Sequence, residues 1–429
     1  MAQVNSPYSR YGLGNMADRS MGFNKGMAAV AQGMRNGQQI NTANPASYAA
    51  VDSLTALFDL GFTTFNGNYK MGQQQKNVRN TSFDYFAFQF RARKRLGVTI
   101  GIQPFTNIHY SFSSQSQQLT NTESTTSAYT FTGSGGTHKV FLGAGWQPLK
   151  PLSIGANVSY LYGDYSHIST MSLSQSTAYN MVRSYTADIS TYTVDAGLQY
   201  TVEIGKKDKI ILGATYGLGH DINNKAYRTT STQTVTTSSI STSGTTTDTL
   251  YQAFQLPASI SAGITYQHGT KWRVGADFLL EKWSQSRFPS QITDGTGIYQ
   301  SVKGQLNDYQ RLSLGAEYTP ESQSRHLLSR CSYRFGGYYA NTYAKTDLTG
   351  VISDKPYEYG LTAGISIPIH NRHIWYNSPQ LNISAAWSHA NIPYLSALGK
   401  NQQNLTENYL RLSIGLTFSE RWFFKWKVQ

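Results

Sequence analysis

The sequence predicts an all-β protein, a 14-stranded antiparallel transmembrane β-barrel with an N-terminal plug, or hatch, inside the lumen. Of its 429 residues, 13% are aromatic, including 30 Tyr, and 38 are Gly, whereas only 14% are charged. No apolar run approaches the roughly 20 residues that a membrane-spanning helix needs, and the mean hydropathy is −0.41. After Thr55, hydrophobic residues alternate with small or polar ones, as in barrel strands. The alternative for this composition is a large soluble β-sandwich or propeller.

Fourteen segments are predicted to be strands, and most of them carry the period-two alternation. In the segment 151–163, apolar side chains from Leu152 to Tyr162 alternate with Ser, Gly and Asn, and the last segment repeats this pattern. We expect the apolar set to face lipid and the small or polar set to face the lumen, the reverse of a soluble barrel. The predicted strands span 55–65, 82–93, 95–112, 137–147, 151–163, 184–203, 209–220, 252–267, 271–284, 306–319, 329–340, 356–368, 379–388 and 406–418.

The connections between these segments alternate between short and long. Barrels of the bacterial outer membrane have short periplasmic turns and long external loops. An even strand count with this alternation therefore predicts an outer-membrane location with both termini periplasmic. The external connection that contains 229–249 is the richest in Ser and Thr. The predicted long connections are 66–81, 113–136, 164–183, 221–251, 285–305, 341–355 and 389–405.

The predicted periplasmic turns are basic, for example at 91–95 and 206–209. One interpretation is contact with lipid headgroups, and the other is docking of an acidic periplasmic partner. The expected partners are outer-membrane lipid and lipopolysaccharide, with other outer-membrane or periplasmic proteins and a hydrophobic ligand as further candidates. Nucleic acid is not expected, because the basic residues are spread over separate turns.

The chain divides into three predicted parts. Residues 1–54 form the N-terminal segment and plug, 55–418 the transmembrane barrel, and 419–429 a periplasmic interfacial tail. The stretch 19–54 is rich in Gly, Ala and Asn, and small residues permit close packing in a confined space. We expect it to enter the lumen from the periplasmic side. The tail alternates Trp and Phe with Lys, which indicates an interfacial anchor or, alternatively, a partner-binding strand.

The plug and barrel together resemble the FadL-like family of outer-membrane proteins. The resemblance rests on Ser20-Met21-Gly22, on the run 26–31 (GMAAVA) and on Asn44-Pro45-Ala46. The start (6–14) and end (420–427) of the chain look like a Bacteroidota branch of this family. The resemblance implies passive passage of small hydrophobic molecules, with the plug preventing free diffusion. The candidate plug-motif residues are Gly22, Gly26, Asn44, Pro45 and Ala46.

Charged residues within the predicted strands are candidates for a polar lumen. They allow two interpretations: hydrogen-bonded packing between wall and plug, or a polar lining of a permeation path. The principal candidates are Asp84, Asp195, Asp277, Glu317 and Arg311; Asp188, Glu203, Glu281 and Lys139 belong to the same predicted set.

Catalytic and metal-binding motifs are not evident in the sequence. The nine histidines are scattered, and no HExxH or comparable spacing occurs. We therefore expect a non-enzymatic protein without a catalytic residue, metal or cofactor.

Thr249 is a candidate glycosylation site. Asp248-Thr249-Leu250 resembles the Bacteroidota O-glycosylation signal and falls in a predicted external loop. Asp52-Ser53-Leu54 matches the same pattern but lies next to the plug.

Two functional hypotheses follow. The first is passive passage of small hydrophobic molecules, which the hatch motif favours slightly. The second is an accessory barrel subunit of a Bacteroidota outer-membrane protein assembly or secretion complex, which the polar plug, large loops and basic periplasmic face favour. A lumen filled by the plug would reverse this ranking, and a continuous or lateral opening would support it.

Overall fold

A computed structural model describes residues 6–119, 124–173, 179–235, 240–289, 299–345, 356–369, 379–395 and 402–421. Fourteen antiparallel strands form a closed barrel, which confirms the predicted fold class. The first and last strands close it, with pairing from Thr55↔Arg421 to Met71↔Leu405. The strands are β1 Thr55–Met71, β2 Gln74–Arg93, β3 Leu96–Leu119, β4 Ser124–Trp146, β5 Leu152–Leu173, β6 Asn180–Glu203, β7 Asp208–Gly217, β8 Ser259–His268, β9 Trp272–Glu281, β10 Tyr309–Tyr318, β11 Ser332–Asn341, β12 Tyr357–Pro368, β13 Gln380–Leu395 and β14 Gln402–Arg421.

The two faces of the wall differ as the alternation predicts. In β5, Val158 and Tyr160 are 57% and 54% exposed on the outside, whereas Asn157 and Ser159 are 4% and 3% exposed inside. In β14, Leu412 and Ile414 face outward in the same way. The barrel therefore presents an apolar exterior and a small, polar interior.

One side of the barrel is much taller than the other. Strands β7 to β11 have 10 residues each, whereas β3 to β6 have 22 to 24. Ten tilted residues cover roughly the thickness of the membrane core. The long strands of the tall side therefore project beyond the bilayer at the end opposite the short turns.

Several predicted long loops are wrong in extent, because pairing continues beyond the membrane. β1 and β2 are joined by two residues, Gly72 and Gln73, rather than by a loop over 66–81. Most of 113–136 and 164–183 is strand. The Ser/Thr-rich stretch forms a hairpin of Lys225–Val235 and Ile240–Tyr251, named the crest hairpin below. Thr has a high strand propensity, so a polar sequence can continue a ladder in water.

The remaining elements are short. Two-residue strands pair as His220–Asp221 with Gln255–Leu256 and as Phe288–Pro289 with Ser301–Val302. None of the helices among the described residues is long and apolar enough to cross a membrane. They are the 3-10 helices Pro7–Arg10, Pro45–Ala50 and Trp283–Gln285 and the α-helices Gly22–Lys25 and Leu327–Arg330.

The wall splits between β2 and β3, and residues 6–16 occupy the split. These strands pair only from Phe86↔Ile102 down to Arg93↔Leu96. Above this point Asn15–Met16 pairs with the free edge of β3, and Tyr8 packs in one cluster with Val78 of β2.

The described chain thus begins at the long-strand end, where Ser6 donates to Glu407 at 2.7 Å, and reaches the short-turn end at Thr55. The predicted entry of the plug from the short-turn side is wrong for these residues. The reason is that the free edge of β3 needs a partner, and the N-terminal segment supplies it. Residues 1–5 and 422–429, including most of the predicted tail, lie outside the described residues, so periplasmic termini stay a prediction.

Candidate functional site: the plugged lumen

The plug runs around the inside of the wall in backbone contact with a ring of glycines. At Gly336, an added Cβ would lie 2.5 Å from the Met27 carbonyl carbon; at Gly315, it would lie 2.6 Å from the Met27 carbonyl oxygen. Eleven of the fourteen strands contribute one inward glycine that faces the plug, and together these glycines are here named the glycine ring. In order around the barrel from β14 to β3, its members are Gly415, Gly364, Gly336, Gly315, Gly275, Gly263, Gly213, Gly197, Gly155, Gly145 and Gly97. Eight of them meet plug backbone atoms, whereas Gly275, Gly263 and Gly197 meet plug side chains.

The glycine ring is the feature that the sequence reasoning missed. Glycine weakens a strand interior and often marks a site where another backbone approaches closely. Its recurrence in the middle of successive predicted strands was the available signal. Side chains at these positions would push the plug away from the wall.

We predict that Gly336→Ala destabilises the folded protein by about 1–3 kcal/mol, because overpacking forces backbone shifts. The control is Gly337→Ala in the same strand, where the nearest atom to an added Cβ is the lipid-facing Leu361 side chain at 3.3 Å. Denaturant-induced unfolding in detergent micelles measures both. Equal stability of the two variants would show that the plug can withdraw from Gly336 without cost.

The first two motif residues lie where the plug meets β2, β12 and β14. The Gly22 amide donates to the Tyr85 hydroxyl at 2.6 Å. The Gly26 carbonyl accepts from Thr362 at 3.0 Å, and its Cα packs against Gly364. Both positions need glycine because the plug backbone and wall backbone are in contact.

Asn44-Pro45-Ala46 forms the turn that closes the plug. The Asn44 side-chain oxygen caps the helix Pro45–Ala50 through the Ala46 amide at 3.1 Å. Its Nδ2 donates to the carbonyls of Gln32 in the plug and Leu198 in β6, at 3.0 and 3.2 Å. One side chain thus fastens two parts of the plug to each other and to the wall.

Two predicted acidic residues anchor the plug to the wall. Asp84 binds Lys25 of the plug at 2.8 Å, and both side chains are less than a tenth exposed. Asp277 accepts the backbone amides of Ala31 and Gln32 at 2.6 and 2.9 Å. These carboxylates therefore bind the plug itself.

Glu317 and Arg311 occupy different levels of the same wall. Glu317 binds Arg334 and Arg273 at 2.7 and 3.0 Å, and the Cβ of Arg334 lies just beneath Gly26. Arg311 donates to the Ala28 carbonyl at 3.2 Å. Both sites belong to the support of the plug.

Two further residues of the predicted lumen set do not lie in the lumen. Asp188 is exposed because its position in β6 has the outward parity, and Glu203 is exposed at the short turn after β6. The prediction was wrong for both. Asp188 and Asp195 lie seven positions apart, so strand alternation places them on opposite faces, whereas the end of the strand near Glu203 could not be located from the sequence.

Above the plug lies a polar cavity of about 220 Å³. Asp195, Lys139 and Glu281 line it, and Glu281 binds Arg19 at 2.8 Å. Asp18 also faces it. Burial raises the pKa of Asp18, but Lys25 at 3.7 Å and the Ser20 hydroxyl oppose this, and the pKa falls to about 2. This carboxyl therefore stays ionised at neutral pH, and the cavity combines charged groups with apolar side chains such as Phe105 and Leu256.

Beyond this cavity, toward the long-strand end, an apolar cluster packs inside the barrel. Trp283 and Phe254 are fully buried there against the inner face of the tall side, and Leu13 of the N-terminal segment joins them. The segments that connect the short strands therefore fold inward over the lumen.

A second space of about 1010 Å³ lies on the other side of the plug, at the short-turn end. It shares no lining residue with the polar cavity. This vestibule is lined by the plug residues 36–39 and by Arg325, Arg330 and Arg273. The plug therefore separates a charged cavity from a basic vestibule.

Thr249 is exposed in the outer strand of the crest hairpin. The neighbouring Asp248 is held by Arg228 at 2.8 Å. The candidate glycosylation residue is thus accessible at the surface, far from the plug.

Fold and lumen define a plugged, closed 14-stranded antiparallel barrel, and its fold is similar to that of FadL-type outer-membrane proteins. A Pseudomonas aeruginosa FadL homologue matches with a TM-score of 0.61 and 14% identity over 95% of this chain and 99% of the homologue. The monoaromatic hydrocarbon channel CymD matches with a TM-score of 0.56 and 15% identity over 96% of this chain and 99% of that channel. The Ralstonia pickettii toluene transporter TbuX matches with a TM-score of 0.55 and 16% identity over 93% of this chain and 100% of that transporter. At these identities the likeness shows the fold alone.

The family of this chain is shown by a match to the sequence profile of a protein family. The BamG profile matches residues 1–429, and the chain belongs to the BamG family. No curated protein matches the chain in sequence.

Proposed function

We propose that this protein is a non-transporting scaffold barrel, an accessory subunit of an outer-membrane protein assembly. The observation that carries the proposal is the glycine ring, which brings the plug against eleven of the fourteen strands, with backbone contact at eight of them. A plug that acts as a gate must detach from the barrel wall at a small cost in free energy. This plug, in contrast, would first lose its contacts around nearly the whole circumference of the barrel.

The chemistry of the plug contacts supports a fixed filling. Buried charge pairs and amide–carboxylate bonds, such as Lys25–Asp84 and Asp277 with Ala31, are costly to break one at a time. The cavity above the plug places charged groups such as Lys139 and Glu281 beside its apolar side chains, which disfavours a purely hydrophobic molecule. Stability of this kind suits a scaffold that presents loops and turns on both sides of the membrane.

The two exposed ends provide surfaces for partners. The vestibule at the short-turn end carries Arg325 and Arg330, which suits an acidic periplasmic protein. Membership of the BamG family is compatible with an assembly-related role. In this proposal the protein belongs to a Bacteroidota outer membrane, with its short turns and C-terminal tail in the periplasm.

Gentle detergent extraction followed by mass spectrometry tests the proposal. We expect the barrel to co-elute with at least one partner in fixed stoichiometry after two successive separations by size and by charge. A second abundant outer-membrane barrel from the same extract serves as the control for trapped lipid and detergent aggregates. A protein that always elutes alone would overturn the proposal.

Passage of small hydrophobic molecules is the second candidate. The split between β2 and β3 favours it, because displacement of residues 6–16 would open the wall sideways. Uptake of a monoaromatic hydrocarbon into liposomes distinguishes the two functions. We expect no uptake through the intact protein. Uptake at the rate of a FadL-type channel would instead favour passage. Uptake only after removal of residues 1–50 would identify the plug as a fixed barrier.

The parts of the chain take the following roles in this proposal. Residues 1–54 are the plug, 55–418 the barrel and 419–429 an interfacial tail. Thr249 is a glycosylation acceptor in the same proposal. The intact mass of the Thr249→Ala variant should then be lower than that of the native protein by the mass of a glycan. A mass that differs only by the substitution itself would exclude glycosylation at Thr249.

A further inference from the structure

The outer strand of the crest hairpin, Ile240–Tyr251, is an open edge. The inner strand, Lys225–Val235, pairs with β6 on one side and with the outer strand on the other. Within the part of the chain that the structure describes, the outer strand pairs on that one side only. Residues 241–249 are all exposed. Along this strand every second residue therefore directs its backbone donor and acceptor to the unpaired side.

The same barrel protects its other long free edges. Above the split, the edge of β3 is covered by Asn15–Met16 and by Ser9, which exchanges hydrogen bonds with His109. The facing edge of β2 carries the exposed charges Lys76 and Arg79. Pairing and charge are two of the ways in which proteins prevent unwanted strand addition.

The outer strand has neither protection. Its sequence, ISTSGTTTDTLY, contains no Lys, Arg or Pro. The single charge, Asp248, is neutralised by Arg228 of the inner strand through two hydrogen bonds at 2.8 and 2.9 Å. The abundant Thr favours an extended backbone. The result is a long, uncharged edge that is preformed for pairing.

We propose that this edge binds an extended, uncharged segment of a partner protein as an added antiparallel strand on the outer side of the membrane. The inference deepens the proposed scaffold function and rests on it. Two copies inserted with the same orientation would present their outer strands in parallel, and parallel pairing is less stable than antiparallel pairing. A different chain is therefore the favoured occupant.

Two neighbouring substitutions, Thr245→Pro and Thr246→Pro, test the edge. In an antiparallel ladder successive amides point to opposite sides, so one variant removes an edge amide and the other an amide bonded to the inner strand. Proline is tolerated where the amide faces outward. Limited proteolysis of the hairpin identifies that variant, because it stays folded.

We expect the folded proline variant to retain about a tenth of the partner that the native protein co-extracts, the effect of losing about one to two backbone hydrogen bonds. A photoreactive residue in place of Thr247 should crosslink to a single extended peptide of the same partner. Unchanged co-extraction of the folded variant would overturn the edge inference alone. Crosslinks between two copies would also overturn it, and a native protein that elutes without partners would overturn the scaffold function as well.

Discussion

Replacing Lys25 with Met is expected to lower the free energy of unfolding by about 3–5 kcal/mol, because one half of a buried ion pair is removed. Lys25 Nζ lies 2.8 Å from Asp84 and 3.0 Å from Thr63. The side chains of Lys25 and Asp84 are 6% and 9% exposed. Without the ammonium group, Asp84 is left as a buried carboxylate that has only hydroxyl donors.

The matched control is the double variant Lys25→Met with Asp84→Asn. It should lose less stability than Lys25→Met alone, since no unpaired charge remains. Urea-induced unfolding in micelles measures both variants. A single variant that loses less than about 1 kcal/mol, the scale of an exposed pair, would mean that water reaches Asp84 and that the plug is looser than described.

Replacing Arg334 with Met should lower stability by about 3 kcal/mol, the lower end for a broken buried pair. Arg334 is 2% exposed and joins three strands, through Glu317 of β10 at 2.7 Å and Asn382 of β13 at 2.8 Å. Its loss leaves Glu317 with Arg273 as its remaining charged partner among the described residues. Because its Cβ lies under Gly26, the plug also loses part of its support.

Arg273→Met is the comparison for this prediction. Arg273 binds the same carboxylate but its side chain is 18% exposed, and Arg334 remains in place. We expect a loss of less than about 1.5 kcal/mol from Arg273→Met, as for a partly solvated pair, when both variants are unfolded under the same conditions. A larger loss from Arg273→Met than from Arg334→Met would contradict the assignment of Arg334 as the main support.

The barrel was predictable because its pattern is local. Each strand alternates apolar residues toward lipid with small or polar residues toward the lumen, as Val158 and Asn157 do. The bilayer imposes this alternation on every spanning strand. The small residues of the plug and the turn at Asn44-Pro45 are also local features, which is why the hatch could be recognised.

The extents of the strands were not predictable in the same way. Outside the bilayer the outward face need not be apolar, so the crest hairpin and the β1–β2 hairpin at Gly72 have largely polar sequences. Their pairing depends on neighbours that are distant along the chain.

The sequence by itself determined the class of fold, the number of strands and the presence of a small-residue plug, because each depends on local periodicity and composition. Only the tertiary structure decided that the plug fills the lumen. That result depends on glycines from eleven strands that all face one plug segment, and on Lys25 reaching Asp84 across 59 positions of chain. The ranking of scaffold over passage therefore follows from long-range packing, which one strand's pattern does not encode.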